Sequence, residues 1–170
     1  MEVHSMRNMS KLAMLLSLVA APTLFAVQPA QAPAAESGEA KLTLAGKSLA
    51  IEYGRPSLRG RDMLGQAAVG QVWRMGANSP TALKTDAELS FGTAIVPKGK
   101  YVLTAKKVAE GQWTLLISKD DKVLQEVPLT GSKLEQSVET FTIELRGEKN
   151  AGEFEMKWGT AAFKAPFTAK

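Results

Sequence analysis

The 170-residue chain carries 21 basic and 17 acidic side chains, one histidine (His4) and no cysteine. Without cysteine there are no disulfides, thiolate nucleophiles or thiolate metal sites. Beyond residue 4 there is no imidazole, which removes the Ser-His-Asp triad, the usual zinc sites and the simplest near-neutral acid–base group.

In chain order, Arg7 and Lys11 precede the apolar run "LAMLLSLVAAPTLFAV", and the small residues "QPAQAPAA" follow. A basic start, an apolar centre and an A-x-A pattern read as a secretory signal peptide over residues 1–34, with Ala32 three residues before the cut. The run falls short of the ~20 residues that span a bilayer and holds Pro22, so it does not read as an anchor that stays in the membrane. A periplasmic or secreted location is expected. Residues 35–40 read as a short flexible leader, and residues 41–170 as one domain with one core.

Alternation dominates that domain. "SLAIEY" puts Leu49, Ile51 and Tyr53 on one face, and "QWTLLIS" does the same with Trp113, Leu115 and Ile117. "ETFTIEL" aligns Phe141, Ile143 and Leu145, and "EFEMKW" aligns Phe154, Met156 and Trp158. Period-two patterns of this kind mark strands with one face on a core and one in water. Turn signals separate them: Ala45-Gly46-Lys47, Pro97-Lys98-Gly99-Lys100, Glu110-Gly111, Asp120-Asp121-Lys122 and Lys149-Asn150-Ala151-Gly152. The prediction is an all-β fold, a single-domain antiparallel β-sandwich, jelly-roll-like or barrel-like. Asp120 and Asp121 read as turn residues, since no further oxygen ligands follow at calcium-loop spacing. Lys106 and Lys107 read as an exposed strand end. Trp73, Trp113 and Trp158 fit strand patterns and read first as core.

Residues 54–81 break the rhythm with five glycines, Pro56 and Pro80, and their glycines leave only a weak helix in "RDMLGQAAV". Met63, Leu64, Val69, Val72 and Trp73 predict an ordered loop over one end of the sandwich. This loop holds Arg55, Arg59, Arg61 and Arg74 against Asp62 alone, whereas the rest of residues 35–170 carries 15 charges of each sign. The net positive charge therefore sits in one segment. Guanidinium forks match carboxylates and phosphates, so Arg55, Arg59, Arg61, Arg74, Asn78 and Trp73 form a candidate ligand-binding set. The competing reading has these arginines pinning the loop to backbone carbonyls and to Asp62, Asp86 or Glu88.

Four segments taken together, "IEYGRPSLRGRDMLG", "GQVWRMGANSPT", "IVPKGKYVLTA" and "QWTLLISKD", resemble the bacterial family called domain of unknown function twenty-nine eleven. The resemblance runs from about Leu42 to Phe167 and implies a secreted, all-β single domain. It carries no catalytic residue, only the pattern Tyr53, Arg55, Pro56, Gly60, Arg61, Trp73, Arg74, Gly76, Ala77 and Asn78. "QAAVGQVW" lacks the Pro-Tyr common before this glycine, and the stretch after "SKDD" lacks a Trp-Gly often found there.

The functional expectation is a noncatalytic binding module for an anionic small molecule or envelope glycan, with no cofactor, no metal and no nucleic-acid partner. A carboxylate-dependent hydrolase acting on a glycan or ester is the first alternative, with Glu52, Asp62, Asp86 and Glu88 as candidate carboxylates and Ser57 and Ser79 nearby. A structural or partner-binding envelope domain is the second. The oligomeric state does not follow from the sequence.

Overall fold

The computed structural model describes residues 34–170, so all but the last residue of the segment read as a signal peptide lies outside the described residues. Among the described residues ten strands form: β1 (Glu36–Leu44), β2 (Lys47–Arg55), β3 (Val72–Trp73), β4 (Thr81–Thr85), β5 (Leu89–Phe91), β6 (Ala94–Val96), β7 (Gly99–Ala109), β8 (Gln112–Lys119), β9 (Lys122–Glu148) and β10 (Ala151–Ala169). They make one antiparallel sheet in the order β1-β2-β4-β7-β8-β9-β10-β5-β6, with β3 beside β7. The all-β expectation holds, and no helix forms over residues 61–69, which are turns and bends.

The sheet rolls up rather than staying open. The chain leaving β2 meets β9: Phe141 N donates to Pro56 O at 2.9 Å, Leu58 N donates to Glu139 O at 2.9 Å, and Ser57 bridges Thr140. Just before that seam the Tyr53 hydroxyl accepts from Ile143 N at 2.9 Å and donates to Ile143 O at 3.3 Å. It replaces backbone pairing where the two strands diverge. On another seam Gln125 Nε2 donates to Ile95 O at 2.9 Å. Closing the roll satisfies edge groups that an open sheet would present to other chains. β10 bends at Gly159 (φ +62°) so that its arms meet. Ala169 N donates to Asn150 O at 2.8 Å, and the Phe167 ring fills the space a Cβ on Gly152 would need.

The alternating residues are the core. Leu49, Ile51, Tyr53, Trp113, Leu115, Ile117, Phe141, Ile143, Phe154, Met156 and Trp158 are all buried, and Leu145 packs against them. Ala45-Gly46 and Asp120-Asp121 close two-residue hairpins with both residues at positive φ, the geometry that suits the twist of paired strands.

Three expectations change. Residues 36–40 are not a flexible leader but the first half of β1, paired with β2 from Glu36↔Arg55 through Ala40↔Ile51. Their backbone ladder supplies what their small and charged side chains lack. The Pro97–Lys100 turn closes no hairpin. It carries the chain from β6, which pairs with β5, to β7, which pairs with β4 and β8, and the Tyr101 hydroxyl pins the crossing by donating to Pro97 O at 2.6 Å. The third change concerns Lys107.

Candidate functional site

Lys107 is 1% exposed, not a solvated strand end. It shares the inward face of β7 with Tyr101, Leu103 and Ala105, and that period-two continuity was visible in the sequence. Its ammonium donates to Gly65 O at 3.1 Å and Ala67 O at 2.9 Å and lies 2.9 Å from a carboxylate oxygen of Glu110. Gly70 N and Gln71 O bond the Lys107 backbone at 2.7 and 3.0 Å. The long loop is thus tied to β7 by this lysine and by the β3 ladder, Val72↔Lys106 and Trp73↔Ala105.

Packing does the rest. Trp73 stacks on Trp158 with ring centres 5.4 Å apart and meets Phe141 and Trp113 edge-on. This indole is half-buried and packs against the core. Leu58, Leu64 and Met75 are buried. At the loop's end the backbone lies directly on β2. A Cβ on Gly54 would come 1.9 Å from Ala77 O, and one on Gly76, which sits at φ +153°, would come 2.9 Å from Gly54 O. Only glycine permits that crossing. Thr81, fully buried, donates to Met75 O at 2.5 Å and fastens the far end.

The arginines do none of this fastening through ion pairs. Among the described residues no carboxylate lies in salt-bridge range of Arg55, Arg59, Arg61 or Arg74. Asp62 caps Gly65 N at 2.8 Å, Asp86 accepts from Ser48 Oγ at 2.5 Å, and the Glu88 backbone pairs with Lys170. Arg61 donates to Leu58 O at 3.3 Å and Arg74 to Asn78 O, which are local loop contacts.

The four arginines also divide. Arg59 and Arg61 sit by the β2–β9 seam, where Arg59 N donates to Glu139 Oε1 at 2.9 Å. An open cleft of about 460 Å³ lies on the outer face of β1, β2 and β4, and neither Arg55 nor Arg74 is among its lining residues. Ser37, Glu39, Glu52, Gly54, Asn78 and Ser79 are among its lining. Arg74 is held on the carbonyl of Asn78, a lining residue, whereas the Arg55 stem shares the inner face of β1 and β2 with the Tyr53 ring, on the side of Gly38 turned away from the cleft. Arg55 Nε is buried without an acceptor among the described residues, a donor left at a free-energy cost. Asn78 is at φ +63°, which asparagine tolerates, and its amide donates to Ala35 O at 2.9 Å, closing the cleft against the start of β1.

Inside the cleft Glu39 and Glu52 are direct cross-strand neighbours. Like charges so placed destabilise a sheet. Glu39 is paired with Lys41 at 2.8 Å, and Glu52 has no cation within range among the described residues. Sequence reasoning missed Glu39 and Ser37 because both fell in the segment read as a leader. Of the other carboxylates weighed for hydrolysis, Asp62 and Asp86 are committed elsewhere, so neither joins Glu52.

The chain belongs to the family described as "Protein of unknown function (DUF2911)", whose model matches residues 35–167. No curated protein and no solved structure matches it significantly.

Proposed function

We propose that the protein is a noncatalytic binding module for an anionic, hydroxyl-bearing ligand, a carboxylated sugar of the cell envelope or its surroundings. The observation that carries this reading is the set of loop arginines without carboxylate partners on a loop fixed by other residues. Arg74 beside the cleft would take the carboxylate, and a planar guanidinium suits that group. Glu39, Glu52, Asn78 and Ser79 in the cleft would take ligand hydroxyls, since ionised carboxylates accept only. The envelope setting rests on the basic and apolar start of the chain. Calorimetric titration with uronic-acid oligosaccharides at low salt tests the reading. Binding should weaken at least tenfold in Arg74→Ala and with added salt. Equal binding of the neutral, reduced sugars would sink it.

A hydrolase is the second reading, favoured by the juxtaposition of Glu39 and Glu52. Such chemistry needs one carboxyl kept as an acid by its surroundings. Glu39 instead lies in water beside Lys41. Turnover of a glycan or ester panel that is abolished by Glu52→Gln would promote this reading over the first.

A further inference from the structure

The same outer sheet face carries a second cleft, about 420 Å³, lined by Lys84, Thr85, Asp86, Lys98, Gly99 and Lys100. Lys84 on β4 and Lys100 on β7 are direct cross-strand partners, and Lys98 lies two residues before Lys100. Like charges facing each other across a ladder repel. None of the three ammonium groups has a carboxylate in salt-bridge range among the described residues. The one acid in the cleft, Asp86, is engaged by Ser48, whose hydroxyl donates to its carboxylate at 2.5 Å and whose carbonyl accepts from its backbone N–H at 3.0 Å. Three exposed lysines thus converge on a hollow without mutual neutralisation.

We infer that this cleft is an anion site separate from the one beside Arg74, taking a compact, multiply charged oxyanion of the phosphate type. The choice of residue supports that class. Lysine offers a compact point charge with rotatable donors, which suits a tetrahedral anion approached from several sides, whereas the planar forks at the loop suit a carboxylate. A free phosphate and a phosphomonoester headgroup present the same chemistry to the lysines.

The test is titration of the chain spanning residues 35–170 with inorganic pyrophosphate at low ionic strength, followed by the backbone amide resonances of Thr85, Gly99 and Lys100. Wild type should bind with shifts centred on those amides, and Lys84→Gln/Lys100→Gln should weaken binding at least tenfold. Arg74→Ala should change it less than twofold, which keeps the outcome independent of the sugar reading. Because the lysines are exposed and repel, the double variant should keep or raise its melting temperature, and Lys98→Gln alone should give a smaller loss in the same direction. Co-sedimentation with vesicles bearing phosphomonoester headgroups then separates the sources: capture that pyrophosphate competes away supports the site with a headgroup as ligand, and pyrophosphate binding without capture supports it with a free anion. No binding at low salt, shifts centred elsewhere, or affinity unchanged in the lysine variant would overturn the inference.

Discussion

Arginine serves two regions of this molecule in opposite ways. On the outer face of β9 and β10, Arg146 belongs to a network in which every charge has a partner. It pairs with Glu144 and lies 3.2 Å from Glu155, Lys157 lies 2.7 Å from Glu144 and 3.3 Å from Glu155, and Lys164 reaches Glu153 and Glu155 at 3.4 and 3.5 Å. Strand period explains it: Glu144 and Arg146, and Glu155 and Lys157, lie two apart on one face, and although Glu155 faces Glu144 across the ladder, Arg146 and Lys157 stand diagonal to that pair. In the 54–81 loop four arginines share one acid, and that acid caps a turn. Where opposite charges alternate along and diagonally across one sheet face, the groups satisfy one another and become structure. Where they do not, the donors stay available to something outside the chain.

The sharpest way to break this comparison is to show that the arginines hold the loop after all. Lys107→Ala should cost the most, about 3 kcal/mol in urea denaturation, because it strands two loop carbonyls and leaves a cavity. Glu155→Ala should follow at about 2 kcal/mol: its side chain is 5% exposed and three cations converge on it. Smallest of the substitutions, Arg59→Ala, Arg61→Ala and Arg74→Ala should each stay within about 0.5 kcal/mol, and Arg55→Met should be neutral or stabilising because it removes an unsatisfied donor. A loss of several kcal/mol in any loop arginine variant would make that arginine architecture.

The pH dependence sharpens the same contrast. Burial alone would push the Glu144 carboxyl up, but the hydrogen bond and charge of Lys157, with the charge of Arg146, hold it below its ordinary value of 4.5. Burial likewise works against the charged form of Lys157, yet hydrogen bonds and charges from Glu144 and Glu155 raise it above 10.5. A lowered acid contributes stability that is present above pH 4.5 and lost as pH falls through its folded value. A raised lysine contributes stability that is present below pH 10.5 and lost as pH rises through its folded value. Melting temperatures across pH should show both limbs, with the acid limb shallower in Glu144→Gln and unchanged in Arg74→Ala.

What the sequence determined by itself was whatever depends on short-range period. Leu49-x-Ile51-x-Tyr53 or Phe154-x-Met156-x-Trp158 can bury an apolar face only as strands, and Asp120-Asp121 between two such runs can only turn. Family membership was equally legible, because its segments occur in fixed order along the chain. The tertiary structure decided everything that depends on which faces meet. β1 reaches back to Glu36 because a backbone ladder needs no apolar alternation. Lys107 is buried because loop carbonyls from forty and forty-two positions earlier replace its water. Glu39 and Glu52 meet, as do Lys84 and Lys100, only through strand register. The loop arginines, one group in the sequence, separate, Arg74 beside the cleft, Arg55 on the inner face with Tyr53, and Arg59 and Arg61 at the seam, because the roll of the sheet carries Pro56–Leu58 onto β9 while the glycines at 54 and 76 fold the loop's other end back over β2.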